Sequence, residues 1–236
     1  MINRIYQTVQ AIANKDQRGY ISPQEFNLFA DHAQMDIFEQ YFFDVSQFKR
    51  LGRTDKNHQD AVSNLEHKID MFMKNTSVAP SFIYPKYGGE DYTVGVLPLP
   101  SDIYRLVDVR TQDGYGVERL SVEKFETAMR SYLTRPTVSR PSYCFKGVSA
   151  NIFPAATVKM SYITKPVSPK WTFQDVGGTP FYNPDANDHQ DFQLHASEQE
   201  KLTLRILKLA GVATKDMALA QAASQEEAKD MQLEKS

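Results

Sequence analysis

The sequence predicts an α+β protein: an N-terminal helical bundle, an antiparallel β-domain (sandwich or barrel-like) with one inserted helix, and a C-terminal helix packing back on the bundle. Three observations carry this expectation. Apolar residues recur at helical spacing up to about Lys74. Prolines and short β-branched or aromatic runs dominate from Ser77 to Phe173. Helical spacing then returns after Ser197. The composition changes set boundaries at 1–76 for the helical region, 77–175 for the β-domain, and 176–236 for a loop, a C-terminal helix and a docking tail. The helical parts are expected to form one domain.

Ile2, Ile5, Tyr6, Val9 and Ile12 mark one buried face of a first helix, which breaks at the polar turn from Asn14 to Gly19. Ser22 is a good N-cap, Pro23 suits the first helical position, and Glu25 completes a capping box. Beyond it Phe26, Phe29, Ala30, Ala33, Ile37, Tyr41, Val45 and Phe48 form a long stripe. Phe38, Phe42 and Phe43 widen that stripe past the usual ~100°, so this helix is expected to meet more than one neighbour. Val62, Leu65, Ile69 and Phe72 predict a third amphipathic helix.

In the middle block, Ser81–Tyr84 and Tyr92–Val96 flank a Gly88-Gly89 turn and predict a hairpin. Ile103–Val109 and Gly116–Leu120 around Asp113-Gly114 predict a second one. Ser121–Tyr132 predicts the inserted helix, with Val122, Phe125, Ala128 and Met129 on one face. Tyr143–Phe145, Asn151–Phe153 and Thr157–Ile163 predict three further strands; in the last, Val158, Met160 and Tyr162 alternate with polar residues. A loop from Asp175 to Pro180 and a polar run to His189 follow. Ser197-Glu198-Gln199-Glu200 is a second capping box, opening a helix that carries Leu202, Ile206 and Leu207 and stops at Gly211. Thr214-Lys215-Asp216 caps a last helix through Ala218–Ala220. The polar tail from Ser224 either lies along a partner or frays into solvent.

Composition narrows the function classes. The chain has 236 residues, with 27 Lys and Arg against 29 Asp and Glu, a net charge of −2. A dedicated nucleic-acid binder should show a basic excess. No apolar run reaches the ~18–20 residues of a membrane span, so no membrane partner is expected. Cys144 is the only cysteine, which excludes an intramolecular disulfide and fits synthesis in a reducing compartment.

The motifs favour structure over chemistry. Asn14, Asp16, Arg18, Gly19 and Glu25 fall in a calcium-loop frame, but Arg18 places a cation in a ligand slot and Pro23 fits a helix start better. His32, His58, His67, His189 and His195 lack zinc-site spacing, and Asp188-His189 with Asp191 reads as a surface cluster. Cys144, between Tyr143 and Phe145, reads as a buried, inert thiol. No nucleophile elbow, Walker loop or dinucleotide fingerprint is present, so no enzyme and no cofactor is expected. Arg130, Arg135, Arg140 and Lys146, interleaved with Tyr132 and Tyr143, could track a phosphate backbone or line a solvated loop.

Several segments together resemble virion structural proteins of short-tailed, crAss-like bacteriophages. They are Ile2–Tyr6, Gly19–Asn27 and Asp36–Phe42; Leu97-Pro98-Leu99-Pro100-Ser101-Asp102-Ile103-Tyr104; Tyr162–Pro166 with Pro169-Lys170-Trp171; and Ile206–Val212. More distantly, the layout is similar to that of head-to-tail adaptor and tail-tubular ring proteins. The resemblance implies a non-enzymatic, dodecameric connector ring at the head-tail junction, made in the host cytoplasm. Its implied partners are further copies of itself, the portal protein and adjacent tail or connector rings, with DNA passing through the channel without sequence-specific binding. On this view Phe38, Phe42, Phe43, Met217, Leu219, Met231 and Leu233 are candidate subunit or portal contacts, and Arg130, Arg135, Arg140 and Lys146 lie near DNA. The alternatives are a ligand- or glycan-binding module of the virion, favoured by a concave aromatic patch around Tyr143, Phe145 and Trp171, or another capsid or tail auxiliary protein.

Overall fold

A computed structural model describes residues 1–15, 20–51, 56–84, 93–213 and Gln225. The chain is mixed α+β and divides into two units. One joins Met1–Lys68 to Pro166–Ser236, and the other is Ile69–Lys165. The divisions therefore fall at residues 69 and 165, where composition had suggested 77 and 175. Among the described residues no helix is long and apolar enough to cross a membrane.

In the first unit, α1 (Ile2–Lys15) and α2 (Pro23–Leu51) follow the apolar periodicity. Ser22 and Glu25 close the expected capping box. The Ser22 N–H donates to Glu25 Oε2 at 2.9 Å, and the Glu25 N–H to Ser22 Oγ at 3.3 Å. Helix α3 (Lys56–Asp70) comes next, and α5 (Gln199–Ala213) returns after the β unit to pack on α1 and α2. Ile2, Ile5, Val9, Phe26, Ile37, Leu202 and Ile206 are all buried. Glu198, also buried, meets Lys68 Nζ at 2.5 Å and so ties the start of α5 to α3.

Two details of α5 differ from expectation. Its entry is a 3₁₀ turn over Ala196–Glu198, capped by His195, whose Nδ1 accepts from the Ser197 N–H at 3.2 Å. Ser197 lies inside that turn and does not serve as the N-cap. Gly211 is helical too, because α5 runs on to Ala213.

The second unit runs β1 (Met73–Val78), β2 (Phe82–Tyr84), β3 (Val94–Pro98), β4 (Ile103–Thr111), β5 (Glu118–Arg119), α4 (Val122–Arg130), β6 (Ser142–Lys146), β7 (Ser149–Phe153) and β8 (Val158–Thr164). A three-stranded sheet has the order β1-β8-β4, and a five-stranded sheet the order β2-β3-β7-β6-β5. Val78, Val109, Val158 and Met160 of the first sheet share a core with Leu97, Tyr143, Ala150 and Ile152 of the second. The β unit is thus a sandwich. Helix α4 covers the other face of the larger sheet, where Phe125 and Met129 pack with Val94, Cys144 and Phe153. Its cap is Ser121, whose Oγ accepts from the Lys124 N–H.

The expected hairpin at Asp113-Gly114 is only partly formed. Gly114 takes φ +91° and the chain reverses there, but the antiparallel pairing ends at the Arg110–Gly116 bridge. Glu118 and Arg119 then leave to pair with β6, in parallel, across the α4 connection. A strand that changes sheets at a sandwich corner cannot be told from a hairpin arm by local pattern. The first predicted hairpin does pair, β2 with β3, while its turn lies outside the described residues.

Candidate functional site

The extended segment after Pro166 is held by polar side chains of α2. Asn27 and Gln34 lie seven residues apart, on one helix face. Asn27 Oδ1 accepts from the Trp171 N–H at 2.8 Å, and its Nδ2 donates to the Trp171 carbonyl at 3.1 Å. Trp171 is buried. It stacks on Tyr6 from one side, and its Nε1 donates to Asn3 Oδ1 at 3.1 Å. Phe173 and Tyr182 stack on it as well, at centroid distances of 5.9 and 5.8 Å. Asp191 accepts from the Ile2 and Phe192 N–H groups at 2.7 and 2.8 Å. Burial would raise its carboxyl, but those bonds and the Met1 amine outweigh this and hold it below the ordinary value. Burial likewise pushes the Tyr182 hydroxyl up, with the Asp191 charge adding to it.

This platform carries a ribbon of β9 (Phe173–Val176) and β10 (Thr179–Tyr182), where a loop had been expected. Gly177 and Gly178 take φ of 64° and 86°, the two positive values that a tight two-residue hairpin turn needs. Asp175 Oδ1 accepts from the Gly178 N–H at 2.8 Å. Strand alternation gives the ribbon two faces. Phe173 and Tyr182 turn toward Trp171. Val176 and Phe181 belong to the opposite face and are 60% and 56% exposed.

The sandwich carries a second exposed element, the connection from α4 to β6. Arg135 Nε donates to the Met129 carbonyl at 3.3 Å, near the helix C-terminus, and its guanidinium lies 5.8 Å from the Tyr132 ring centre. Thr137 and Arg140 bridge each other's backbone and so close a turn over Val138 and Ser139. Tyr132 is 87% and Leu133 93% exposed, and Val138, Arg130 and Arg140 are exposed beside them.

Charge is distributed unevenly over these two elements. No Asp or Glu occurs between Glu126 and Asp175, and no Lys or Arg between Lys170 and Lys201. The loop is therefore basic and the ribbon segment acidic. The sandwich unit holds twelve Lys and Arg against nine Asp and Glu, and the helical unit fifteen against twenty.

The sequence-predicted site residues separate. Phe38 is fully buried and edge-on to Phe42, so it packs its own unit and is not available to a neighbour. Phe42 is half-buried, while Phe43 is 58% exposed. Met217, Leu219, Met231 and Leu233 lie outside the described residues. Arg130, Arg135 and Arg140 belong to one connection, but Lys146 sits at the far end of β6 from Arg140. Tyr143 and Trp171 are buried, so they contribute no surface to the aromatic patch expected of a ligand-binding module. Cys144 is buried, and burial pushes its thiol up. Glu25 is engaged by Ser22, and the rest of the calcium-loop frame from Asp16 to Gly19 lies outside the described residues. His189 sits between Thr172 Oγ1 and the Tyr182 hydroxyl, at 3.3 Å from each. No group of three or more His, Cys, Asp or Glu placed to hold a metal occurs among the described residues. The ribbon was missed although Gly177-Gly178 between two aromatic runs is a recognised hairpin signal.

No protein-family model matches the chain, and no curated protein matches it in sequence.

Proposed function

We propose that the chain is a ring-forming structural subunit of a virion, a head-to-tail connector between portal and tail that surrounds the DNA channel. The observation that carries this reading is the exposed apolar face of the β9–β10 ribbon, Val176 and Phe181, borne on a rigid aromatic platform. A two-stranded ribbon is marginal in water by itself. The protein anchors one face through Trp171 and leaves the other open, an arrangement suited to insertion against another chain. Tyr132 and Leu133 on the sandwich present a second such surface. The net charge of −2 suits a channel wall that lets DNA slide. The resemblance of the helical and β segments to short-tailed phage virion proteins supplies the identity of the assembly.

Mass photometry of the purified chain, alone and with the portal protein of the same genome, tests the proposal. A discrete ring-sized species, or a portal complex that gains a ring's mass, is expected. A chain that remains monomeric and ignores the portal rules the connector out.

A further inference from the structure

We infer that α3 is a strap that opens and closes on the helical bundle by handing the Glu198 carboxylate between two lysines, Lys68 of α3 when closed and Lys201 of α5 when open. Neither state depends on the chain being a connector subunit.

The strap is held differently from its neighbours. Helix α1 buries Ile2, Ile5 and Val9, α2 buries Phe26, Ala30 and Ile37, and α5 buries Leu202, Ile206 and Ala210. Between Asp60 and Lys68, none of the described α3 side chains is buried. Val62, Leu65 and Lys68 are half-buried, and Asp60, Ser63, Asn64, Glu66 and His67 are exposed. With so little apolar surface, α3 leans on Lys68. Its ammonium meets Glu198 Oε1 at 2.5 Å and lies 5.7 Å from the centre of the Tyr41 ring on α2. An element with few buried apolar contacts is the one that opens at low cost.

The second half of the device is the other carboxylate oxygen. Glu198 is buried, yet its Oε2 accepts no hydrogen bond among the described residues. Lys201 Nζ stands 3.8 Å from that oxygen, three residues on and just beyond hydrogen-bond reach. A buried ion pair normally resists opening, because departure of one partner leaves the other charge uncompensated. Here a small movement of Lys201 supplies the replacement. Lys201 belongs to α5, which Glu198 leads into, so it stays with the carboxylate when α3 leaves. A lone helix of fifteen residues is marginal in water, so an undocked α3 loses the protection of its amides.

Hydrogen exchange of the full chain, followed by mass spectrometry, tests the hand-over. Wild-type α3 should exchange about tenfold or more faster than α2 between Phe26 and Tyr41. Lys68→Met should speed α3 exchange again by about tenfold or more. Lys201→Met should slow it about fivefold, because only the open state depends on that lysine. Glu198→Gln removes the charge, so adding Lys201→Met to it should change nothing further. Unchanged exchange in α1 reports that each variant folds. Should Lys68→Met fail to fold, the sign of the Lys201→Met effect decides alone. An α3 that exchanges at the rate of α2 overturns the strap. A Lys201→Met variant whose α3 exchanges faster, or at the wild-type rate, overturns the hand-over and leaves Lys201 as a second counter-ion of the closed state.

Discussion

Gln34 and Gln193 are joined in a closed ring of hydrogen bonds through Val167. Gln34 Nε2 donates to the Val167 carbonyl at 2.8 Å, the Val167 N–H donates to Gln193 Oε1 at 2.9 Å, and the Gln193 N–H donates to Gln34 Oε1 at 3.0 Å. Gln34 is fully buried, so its carboxamide replaces the water these backbone groups would otherwise need.

Gln34→Ala should therefore cost about 1–3 kcal/mol, since it leaves the Gln193 N–H and the Val167 C=O without their partner. Gln34→Glu keeps the acceptor for Gln193 but loses the donor to Val167. Its defect should shrink as pH falls and the buried carboxyl regains a proton. Urea unfolding across the acid range measures both effects, and a neutral Gln34→Ala would remove the amide ring from the account of how this segment is held.

Trp171 stacks on Tyr6 with ring centroids 3.9 Å apart and 22° between the planes. Trp171→Ala should cost about 3–5 kcal/mol, because it empties a buried site and strips the ribbon of its platform. Trp171→Phe should lose less, keeping the stack but not the bond to Asn3. As the only tryptophan, Trp171 also reports the unfolding of its own unit by fluorescence. Equal melting temperatures for wild type and the alanine variant would contradict the anchoring role.

The Ser22 hydroxyl and then the Ser22 N–H hold the Glu25 carboxyl below its ordinary value of 4.5. A lowered folded pKa means that the stabilisation is complete above the ordinary value and is lost as pH falls through the folded one. Ser22→Ala should cost about 0.5–2 kcal/mol near neutrality and progressively less in acid. The melting temperature of both proteins as a function of pH reads this directly; parallel curves would refute the role of the Glu25 charge, and coincident ones would mean that the capping box contributes nothing.

Gly95, in β3, has no room for a side chain. A Cβ there would lie 3.0 Å from Pro80 Cγ and 3.2 Å from Ala155 Cβ. Both neighbours are stiff, so Gly95→Ala should destabilise by about 1–3 kcal/mol. Gly116→Ala is the matched control, with nothing within 4 Å of the added carbon. Denaturant midpoints compare the two, and equal midpoints would refute the close approach.

What depends on near neighbours was legible in the sequence. Helix starts at Ser22 and Ser121, the apolar faces of α1 and α2, the strand alternation at Val158, Met160 and Tyr162, and the glycine turn at Gly114 all follow from contacts within a few residues. The other features depend on residues far apart in the chain. β1 has little alternation in Met73–Val78 and is a strand because β8 pairs with it, some 80 residues along the chain. Glu118 and Arg119 change sheets because β6 offers an edge, and Phe38 turns inward because its neighbours in the helical unit enclose it. The candidate interface was the least legible feature. Arg130, Arg140 and Phe43 could be named from the sequence, but the exposure of Val176 and Phe181 depends on which ribbon face Trp171 covers. Burial of that kind is a property of distant residues brought together, and no local spacing encodes it.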